Sequence, residues 1–265
     1  MKIGIVGCAG RMGRMLMQAV VYSEGCALSG GTERSGSPQI GRNVGEMLGQ
    51  GAMGAVIGDD AAALFAASDA VIDFTAPAAT AAHAALAAET GRVLVVGTTG
   101  LSVADEEGLR MAAGRAAIVY APNFSVGVTL LTALTERAAA ILGDDYDIEI
   151  VEMHHRHKVD APSGTALGLG RAAAAGRQVA LDQVWRKSRD GHTGARPKGE
   201  IGFATLRGGD VVGDHSVIFA AEGERLELTH KASRRAVFAN GAVRAARWAQ
   251  GRPPGLYTMR DVLGL

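Results

Sequence analysis

The densest cluster of ionisable groups in the 265-residue chain is His154-His155-Arg156-His157-Lys158, which runs through Asp160 to Pro162-Ser163-Gly164-Thr165. Imidazole exchanges protons near neutral pH, and a lysine ammonium can fix or protonate an anionic intermediate. A helix starting near Ser163 would leave the N–H groups of Gly164 and Thr165 at its positive end, where they can hold a carboxylate. Three histidines within four residues also invite a metal reading. In an extended segment, however, His155 and His157 face one side and His154 the other. Arg156 and Lys158 would repel a cation, so no metal is expected. The bland alternative is a polar loop that faces water. Anion-binding acid/base chemistry accounts for more of the segment.

A second constellation lies at the N-terminus. Gly7, Gly10 and Gly13 follow the apolar run KIGIV and open a helical stretch, and Glu33 stands 20 residues past Gly13 at the end of the next apolar run. That is the context of a dinucleotide fingerprint: glycines for a tight turn, a helix start for the pyrophosphate and an acid for the ribose. Ala9 occupies the place of the usual second glycine, so a plain βα turn remains the alternative. Arg34 beside Glu33 can bind a 2′-phosphate that the carboxylate would repel, which leaves NADH and NADPH both open. Gly97-Thr98-Thr99-Gly100 and Ala121-Pro122-Asn123-Phe124 each follow an apolar run, where open α/β sheets bind ligands; ordinary turn chemistry explains each equally well alone.

The elements that must position these groups come in two styles. Up to about Tyr120, short apolar runs (KIGIV, CALSG, AVIDF, RVLVV, AAIVYA) alternate with alanine-rich helical stretches. This predicts a parallel sheet covered on both faces. Gly36 to Gly51 reads as a surface loop. Beyond Pro122, Val126, Leu130, Leu134 and Ile141 fall on one helical face. Strand-like DYDIEIVEM, IGFATL, residues 211 to 219 and RLELTH follow, the last two as a hairpin around Glu222 and Gly223. The expected fold class is α/β: a Rossmann-type doubly wound parallel sheet plus a second α+β domain with a mixed sheet, spanning about 126–234. The last thirty residues look helical around a Pro253-Pro254 break. Sites on two domains call for closure, with hinges expected near 122–127 and 232–241, consistent with Gly127 and Gly241. The basic stretch Arg186 to Lys198 would cap the substrate cleft, lie at a subunit contact or face water.

Composition narrows the function classes. Twenty-seven basic residues balance 27 acidic ones, so no global field gathers a polyanion and nucleic acid is not an expected partner. Cys8 and Cys26 are too few for a disulfide framework. The apolar start is broken by Arg11 and Arg14, unlike a secretion signal. Residues 116 to 135 carry no charge, but Pro122, Asn123 and Ser125 split them into a strand and a helix. The expectation is a cytoplasmic protein with no membrane partner.

Taken together, Gly7-x-x-Gly10-Arg11-Met12-Gly13, AVIDFTAP, VGTTG, APNFSVGV, EMHHRHKVDAPSGTA, SRDGHTG, IGFATLRGGDVVGDH, THKAS and FANGAVRAA resemble the 4-hydroxy-tetrahydrodipicolinate reductases, a family long called dihydrodipicolinate reductases. The match runs in order along nearly the whole chain, and HHRHKVDAPSGT is its most selective part. The resemblance implies hydride transfer from NADH or NADPH to a cyclic imine dicarboxylate on the route to diaminopimelate and lysine. It implies that His154 is the acid/base and Lys158 the proton donor, with His155, Ser163, Gly164, Thr165 and Arg235 holding substrate carboxylates. Cofactor contacts would come from Gly7, Cys8, Ala9, Gly10, Arg11, Met12, Glu33, Arg34, Gly97, Thr98, Thr99, Ala121, Pro122, Asn123 and Phe124. It further implies that the last helical stretch returns to the nucleotide domain (1–125 with 235–265), that 126–234 binds substrate, and that four chains assemble through the second domain. Two other classes compete: a nicotinamide-sensing protein without turnover, and a different two-domain dehydrogenase, which would leave HHRHKVDAPSGT unexplained.

Overall fold

In the computed structural model, which describes residues 1–265, the apolar runs are strands and the alanine-rich stretches between them are helices. Along the first half the order is β1 (Lys2–Val6), α1 (Arg11–Val21), β2 (Ala27–Thr32), α2 (Val44–Met47), β3 (Ile57–Gly58), α3 (Ala61–Ala67), β4 (Ala70–Asp73), α4 (Pro77–Thr90), β5 (Val93–Val96), α5 (Val103–Ala112) and β6 (Ala117–Tyr120). Helix starts follow local chemistry. Pro77 occupies the first turn of α4, where its missing N–H costs nothing, and Ser102 with Asp105 forms a capping box on α5.

The second half contributes α6 (Val126–Leu142), β7 (Asp147–His154), α7 (Gly164–Gly176), α8 (Leu181–Val184), β8 (Trp185–Arg186), β9 (Ile201–Arg207), β10 (Gly213–Ala221), β11 (Glu224–Ala232), α9 (Ala236–Ala249), β12 (Gly255–Tyr257) and α10 (Met259–Leu263). Two compact units result: Met1–Val126 with Ala236–Leu265, and Gly127–Arg235.

The first unit is built on a seven-stranded sheet in the order β12-β6-β5-β4-β1-β2-β3, with every pairing parallel. Strand alternation divides its core. Ile72, Val95 and Val119 pack with Leu16 of α1 and Ala242 of α9, while Val71, Leu94 and Ile118 pack with Phe65 of α3, Ala84 of α4 and Leu109 of α5. Both faces being covered, the strands read as unbroken apolar runs.

Two expectations need correction here, and two elements were not foreseen. The segment 36–51 is not merely a loop, since Asn43 caps the short α2 and Val44 is fully buried; one helical turn is too short to give a periodic signal. The strand β3 and the helix α3 that follow it were not anticipated. Nor is the C-terminal stretch wholly helical: after Pro254 the chain extends as β12 and pairs beside β6 at the sheet edge. Its three residues are too few to show alternation.

The second unit carries a five-stranded mixed sheet in the order β11-β10-β7-β9-β8. Strands β11, β10 and β7 run antiparallel, and β7, β9 and β8 run parallel. Gly223, in the left-handed region at φ +88°, makes the β10–β11 hairpin turn. Ile148 and Ile150 of β7, Phe203 of β9 and Val217 and Phe219 of β10 face Leu131 and Ala139 of α6 and Leu169 and Ala173 of α7.

The apolar stripe expected on α6 points the other way. Leu130, Leu134 and Ile141 are 43%, 46% and 67% exposed, whereas Val128, Leu131 and Ala139 are buried. Both stripes are apolar, so periodicity could not choose; the buried stripe includes Thr135 and Ala139, which allow a close approach. By length and composition alone Val126–Asp145 could cross a membrane, yet Leu131 and Ala139 belong to the core of this unit.

Gly127 and Gly241, in the two segments where hinges are expected, are closely packed. Gly241 lies inside α9, and a Cβ there would strike the Phe124 carbonyl; one on Gly127 would lie 2.5 Å from the His230 ring. Neither has a positive φ. Close packing requires glycine at both places.

The basic stretch 186–198 is braced rather than loose. Arg189 makes two bonds to Glu149 at 2.9 Å, and Arg196 reaches Glu149 at 2.9 Å and Asp147 at 2.6 Å.

Candidate active site

The first half-site grows from the β1–α1 turn. Gly7 has φ +64°, a conformation costly for residues with a Cβ. A Cβ on Gly13 would run into Gly7 and Cys8 backbone atoms, so the third glycine lets α1 start hard against the strand. Within the turn, the Gly10 N–H bonds the Gly7 carbonyl, the Cys8 N–H bonds the Thr32 carbonyl, each at 3.1 Å, and the Ala9 N–H bonds Glu33 Oε1 at 2.8 Å. The donors left for an anion head α1, at Arg11 and Met12, where no side chain caps the helix. Cys8 turns its thiol into the core at 0% exposure. Burial, with the Glu33 charge adding, pushes that thiol up to about 12. Glu33 is half-buried and Arg34 exposed beside it.

The strand ends of the same unit enclose a cavity of about 320 Å³, lined by Met12, Phe74, Thr75, Gly97, Thr98, Thr99, Pro122, Asn123, Phe124 and Phe238. Of the expected cofactor residues, Met12, Gly97, Thr98, Thr99, Pro122, Asn123 and Phe124 meet here. Ala121 does not; it is 5% exposed in the core, because alternation along the strand turns it inward. Phe74, Thr75 and Phe238 were missed. Gly97 is required by Phe74, whose ring fills the place of its Cβ. The cradle and cavity fit a dinucleotide in chemistry and in kind: N–H groups for a pyrophosphate, an acid for a ribose, apolar and aromatic walls for a flat ring.

Beneath this cavity a buried network fixes the threonines. Asp73, 0% exposed, accepts from the Thr75 N–H at 2.9 Å, the Thr75 hydroxyl at 2.5 Å, the Thr98 hydroxyl at 3.1 Å and His83 Nδ1 at 2.8 Å. Thr98 also receives the Thr80 hydroxyl at 2.9 Å, so its side chain supports the pocket and leaves little for a ligand.

The second half-site forms where β7 ends. Alternation buries Ile148, Ile150, Glu152 and His154 in one row. The His154 carbonyl receives the Gly208 N–H at 2.9 Å and the His155 N–H reaches the Val211 carbonyl at 2.7 Å. A turn follows, in which His155 and His157 lie with ring centroids 6.3 Å apart. After the cis Ala161–Pro162 bond, Ser163 caps α7 by accepting the Ala166 N–H at 3.2 Å.

Glu152, 1% exposed, is the residue around which this half-site is built. It accepts from His154 Nδ1 at 2.5 Å, from the Ser163 N–H at 3.0 Å, and from two Arg207 nitrogens at 2.9 and 3.1 Å. Burial pushes its carboxyl up, but Arg207, His154 and the Ser163 N–H outweigh this and hold it below the ordinary range. Arg207 enters from β9, directly opposite His154 in the parallel register. His215 of β10 stands opposite Glu152 and meets Ser163 Oγ at 3.1 Å. Burial, together with the nearby His154 and despite Glu152, brings His215 down to about 4.

Lys158 pairs with Asp160 at 2.8 Å, and that hydrogen bond outweighs the slight burial of Asp160 and lowers its carboxyl. Arg235 reaches His155 Nε2 at 3.4 Å; burial, Arg235 and the surrounding cations lower His155. Thus His154, His155, Lys158, Ser163, Gly164, Thr165 and Arg235 share one region of the second unit. The Ser163 hydroxyl is an exception in orientation, turned back to Ala166 and His215 while Gly164 stands exposed. Glu152, Arg207 and His215 were missed. The spacing of Glu152 two before His154, on one strand face, was the available signal.

Comparisons with known proteins agree along the chain. Residues 1–124 match the family profile described as dihydrodipicolinate reductase, N-terminus, and residues 127–263 match dihydrodipicolinate reductase, C-terminus. The 4-hydroxy-tetrahydrodipicolinate reductase of Dinoroseobacter shibae is 57% identical over 99% of this chain and 98% of its own. That of Brucella abortus is 55% identical over 100% and 99%. The fold is shared with the dipicolinate-bound dihydrodipicolinate reductase of Paenisporosarcina sp. TG-14, with a TM-score of 0.78 at 23% identity, covering 98% of each chain. With both halves of the sequence matched in order and more than half of all residues identical to those of such relatives, the chain belongs to the dihydrodipicolinate reductase family.

Proposed function

We propose that this enzyme reduces 4-hydroxy-tetrahydrodipicolinate, or its dehydrated form dihydrodipicolinate, to tetrahydrodipicolinate in diaminopimelate and lysine biosynthesis. The observation that carries the reading is the loop from His154 to Lys158 closing on the first turn of α7. Acid/base groups, cations and helix-start N–H groups thereby meet within twelve residues, as a dicarboxylate imine requires. The net reaction adds a hydride and a proton and, from the hydroxylated ring, expels water.

When bound, reduced nicotinamide supplies the hydride. Arg11 and Met12 offer N–H groups to the pyrophosphate, and Glu33 accepts from the adenosine ribose. Glu33 suits NADH and Arg34 suits a 2′-phosphate, so both cofactors are used. In the second unit, His155, Arg235 and the Gly164–Thr165 turn hold the substrate carboxylates. Lys158 is the proton donor and His154 the acid/base that exchanges a proton with substrate, one proton being gained in all, and their charge lowers the barrier as negative charge develops at the ring nitrogen. We assign the first unit to the dinucleotide and the second to substrate binding and assembly. Four chains join through the outer sheet face of the second unit, where Leu206 is 49% exposed, and the enzyme works in the cytoplasm; light scattering checks the first of these.

The decisive assay supplies freshly generated precursor to purified protein and follows the loss of NADH or NADPH absorbance. Oxidation of either cofactor is expected; oxidation of neither overturns the assignment.

A further inference from the structure

We propose that Glu152 is the positioning residue that makes Nε2 the reacting nitrogen of His154, and that Gly213 keeps this nitrogen uncovered. The proposal rests on His154 being the acid/base of the reductase. A carboxylate has no proton to give, so the His154 nitrogen that faces Glu152 Oε2 at 2.5 Å keeps its hydrogen whether the ring is neutral or charged. Nε2 is then the nitrogen that gains and loses the proton. When it donates to substrate, the ring becomes neutral with Nδ1–H still on Glu152, and no tautomer change is needed.

The carboxylate is held in place for this task. Arg207 takes both of its oxygens and Ser163 donates its N–H to one of them, so neither rotation nor proton uptake by Glu152 is favoured. The same anchor joins the acid/base residue to the turn that opens α7, and a change at Glu152 is felt by both.

Gly213, the first residue of β10, supplies an independent observation. A Cβ at this position would lie 3.0 Å from His154 Nε2 and 3.3 Å from Cδ2. Gly213 has no positive φ, so its backbone would accept alanine and only the space beside Nε2 argues for glycine. A methyl group there would cover the edge of the ring that must meet substrate.

The test reads the tautomer directly. Full-length protein carrying ¹⁵N-histidine is followed by two-bond proton–nitrogen spectra, which distinguish Nδ1–H from Nε2–H rings. The neutral His154 of the unaltered protein is expected as Nδ1–H; an Nε2–H ring overturns the proposal without any variant having to fold. Glu152→Gln, with an amide NH₂ to set against Nδ1, is expected to move His154 toward Nε2–H and lower turnover about 10²-fold, while the KM for cofactor is unchanged. Gly213→Ala is expected to lower turnover with the Nδ1–H ring retained. Normal turnover in either variant, folded by circular dichroism, overturns the role given to that residue. If the unaltered protein reduces no imine dicarboxylate, the functional reading fails, and the spectra still decide which nitrogen Glu152 holds.

Discussion

His83 Nδ1 donates to Asp73 Oδ2 at 2.8 Å under the cavity of the first unit, and the other oxygen of Asp73 gathers Thr75 and Thr98. Burial pushes this carboxyl up, but His83, through its hydrogen bond and charge, and then Thr75 and Thr80 hold it below the ordinary range. A carboxyl depressed in the fold stabilises it above the unfolded value of about 3.9, and the benefit is lost as pH falls through the folded value. Asp73→Asn should therefore cost about 3 kcal/mol near neutral pH, and less below pH of about 4. It should also weaken cofactor binding, since the amide has one acceptor oxygen where His83 on one side and Thr75 and Thr98 on the other each had their own. Denaturant unfolding at two pH values, with a cofactor titration, checks both; equal destabilisation at each pH would show that the charge is not what matters.

His215 sets a different pH window. It is 3% exposed, and the ionisable groups that act on it are His154 and Glu152 on β7, His230 on β11 and Lys158 in the loop, with burial the largest influence. Unfolded histidine takes up a proton near 6.5, whereas His215 in the fold resists until about 4. Protons then favour the unfolded chain, so stability is fully present above pH of about 6.5 and falls between there and about 4. The loss amounts to about 3 kcal/mol at most. Replacing His215 with Gln should flatten this slope, while Asp73 and Glu152 act at more acidic pH. Unfolding free energies measured at several pH values between these limits give the comparison.

Much of this was legible in the sequence because its signals are local. The run KIGIV followed by Gly7, Gly10 and Gly13 specifies strand, turn and helix within one segment, and Ser163 marks the start of α7 by its capping chemistry alone. What escaped depends on register between distant strands. Nothing near Arg207 says that β9 will run parallel beside β7 and set it opposite His154, and His215 reaches Ser163 only through the antiparallel β7–β10 pairing. The buried side of α6 was unreadable for another reason: two apolar stripes compete, and the shape of the sheet beneath decides between them. Ala121 shows the same limit at one residue, since the strand end that brings Pro122 to the cavity turns its neighbour into the core.

Gln178, just past the end of α7, has φ +59° and is the one non-glycine residue with a positive φ. Its N–H bonds the Ala175 carbonyl at 2.9 Å, as helix ends do when a left-handed residue closes them. Its side chain is exposed, so little packing would be lost with it. Gln178→Gly should raise stability by about 1 kcal/mol, less the entropy that glycine adds to the unfolded chain. A higher melting temperature with unchanged kinetics is the expected result, and a lower one would mean that the side chain contributes more than its exposure suggests.

The functional assignment separates most cleanly by comparing variants in the two units. His154→Ala and Lys158→Ala remove proton transfer, so each should lower turnover on the order of 10²-fold or more with cofactor affinity near normal, because the dinucleotide cradle lies in the first unit. Lys158 has a further signature. Its bond to Asp160 at 2.8 Å holds the ammonium to one side, and Asp160→Asn should loosen it and change turnover without changing cofactor binding. Glu33→Ala should do the reverse: the Ala9 N–H loses its acceptor, the ribose loses its partner, and the ratio of NADPH to NADH use should rise as the repelling carboxylate disappears. Steady-state kinetics with both cofactors, beside direct cofactor titrations, supply the readout. Equal loss of cofactor binding in His154→Ala, Lys158→Ala and Glu33→Ala would point to a common defect in folding, and the division of labour between the two units would have to be abandoned.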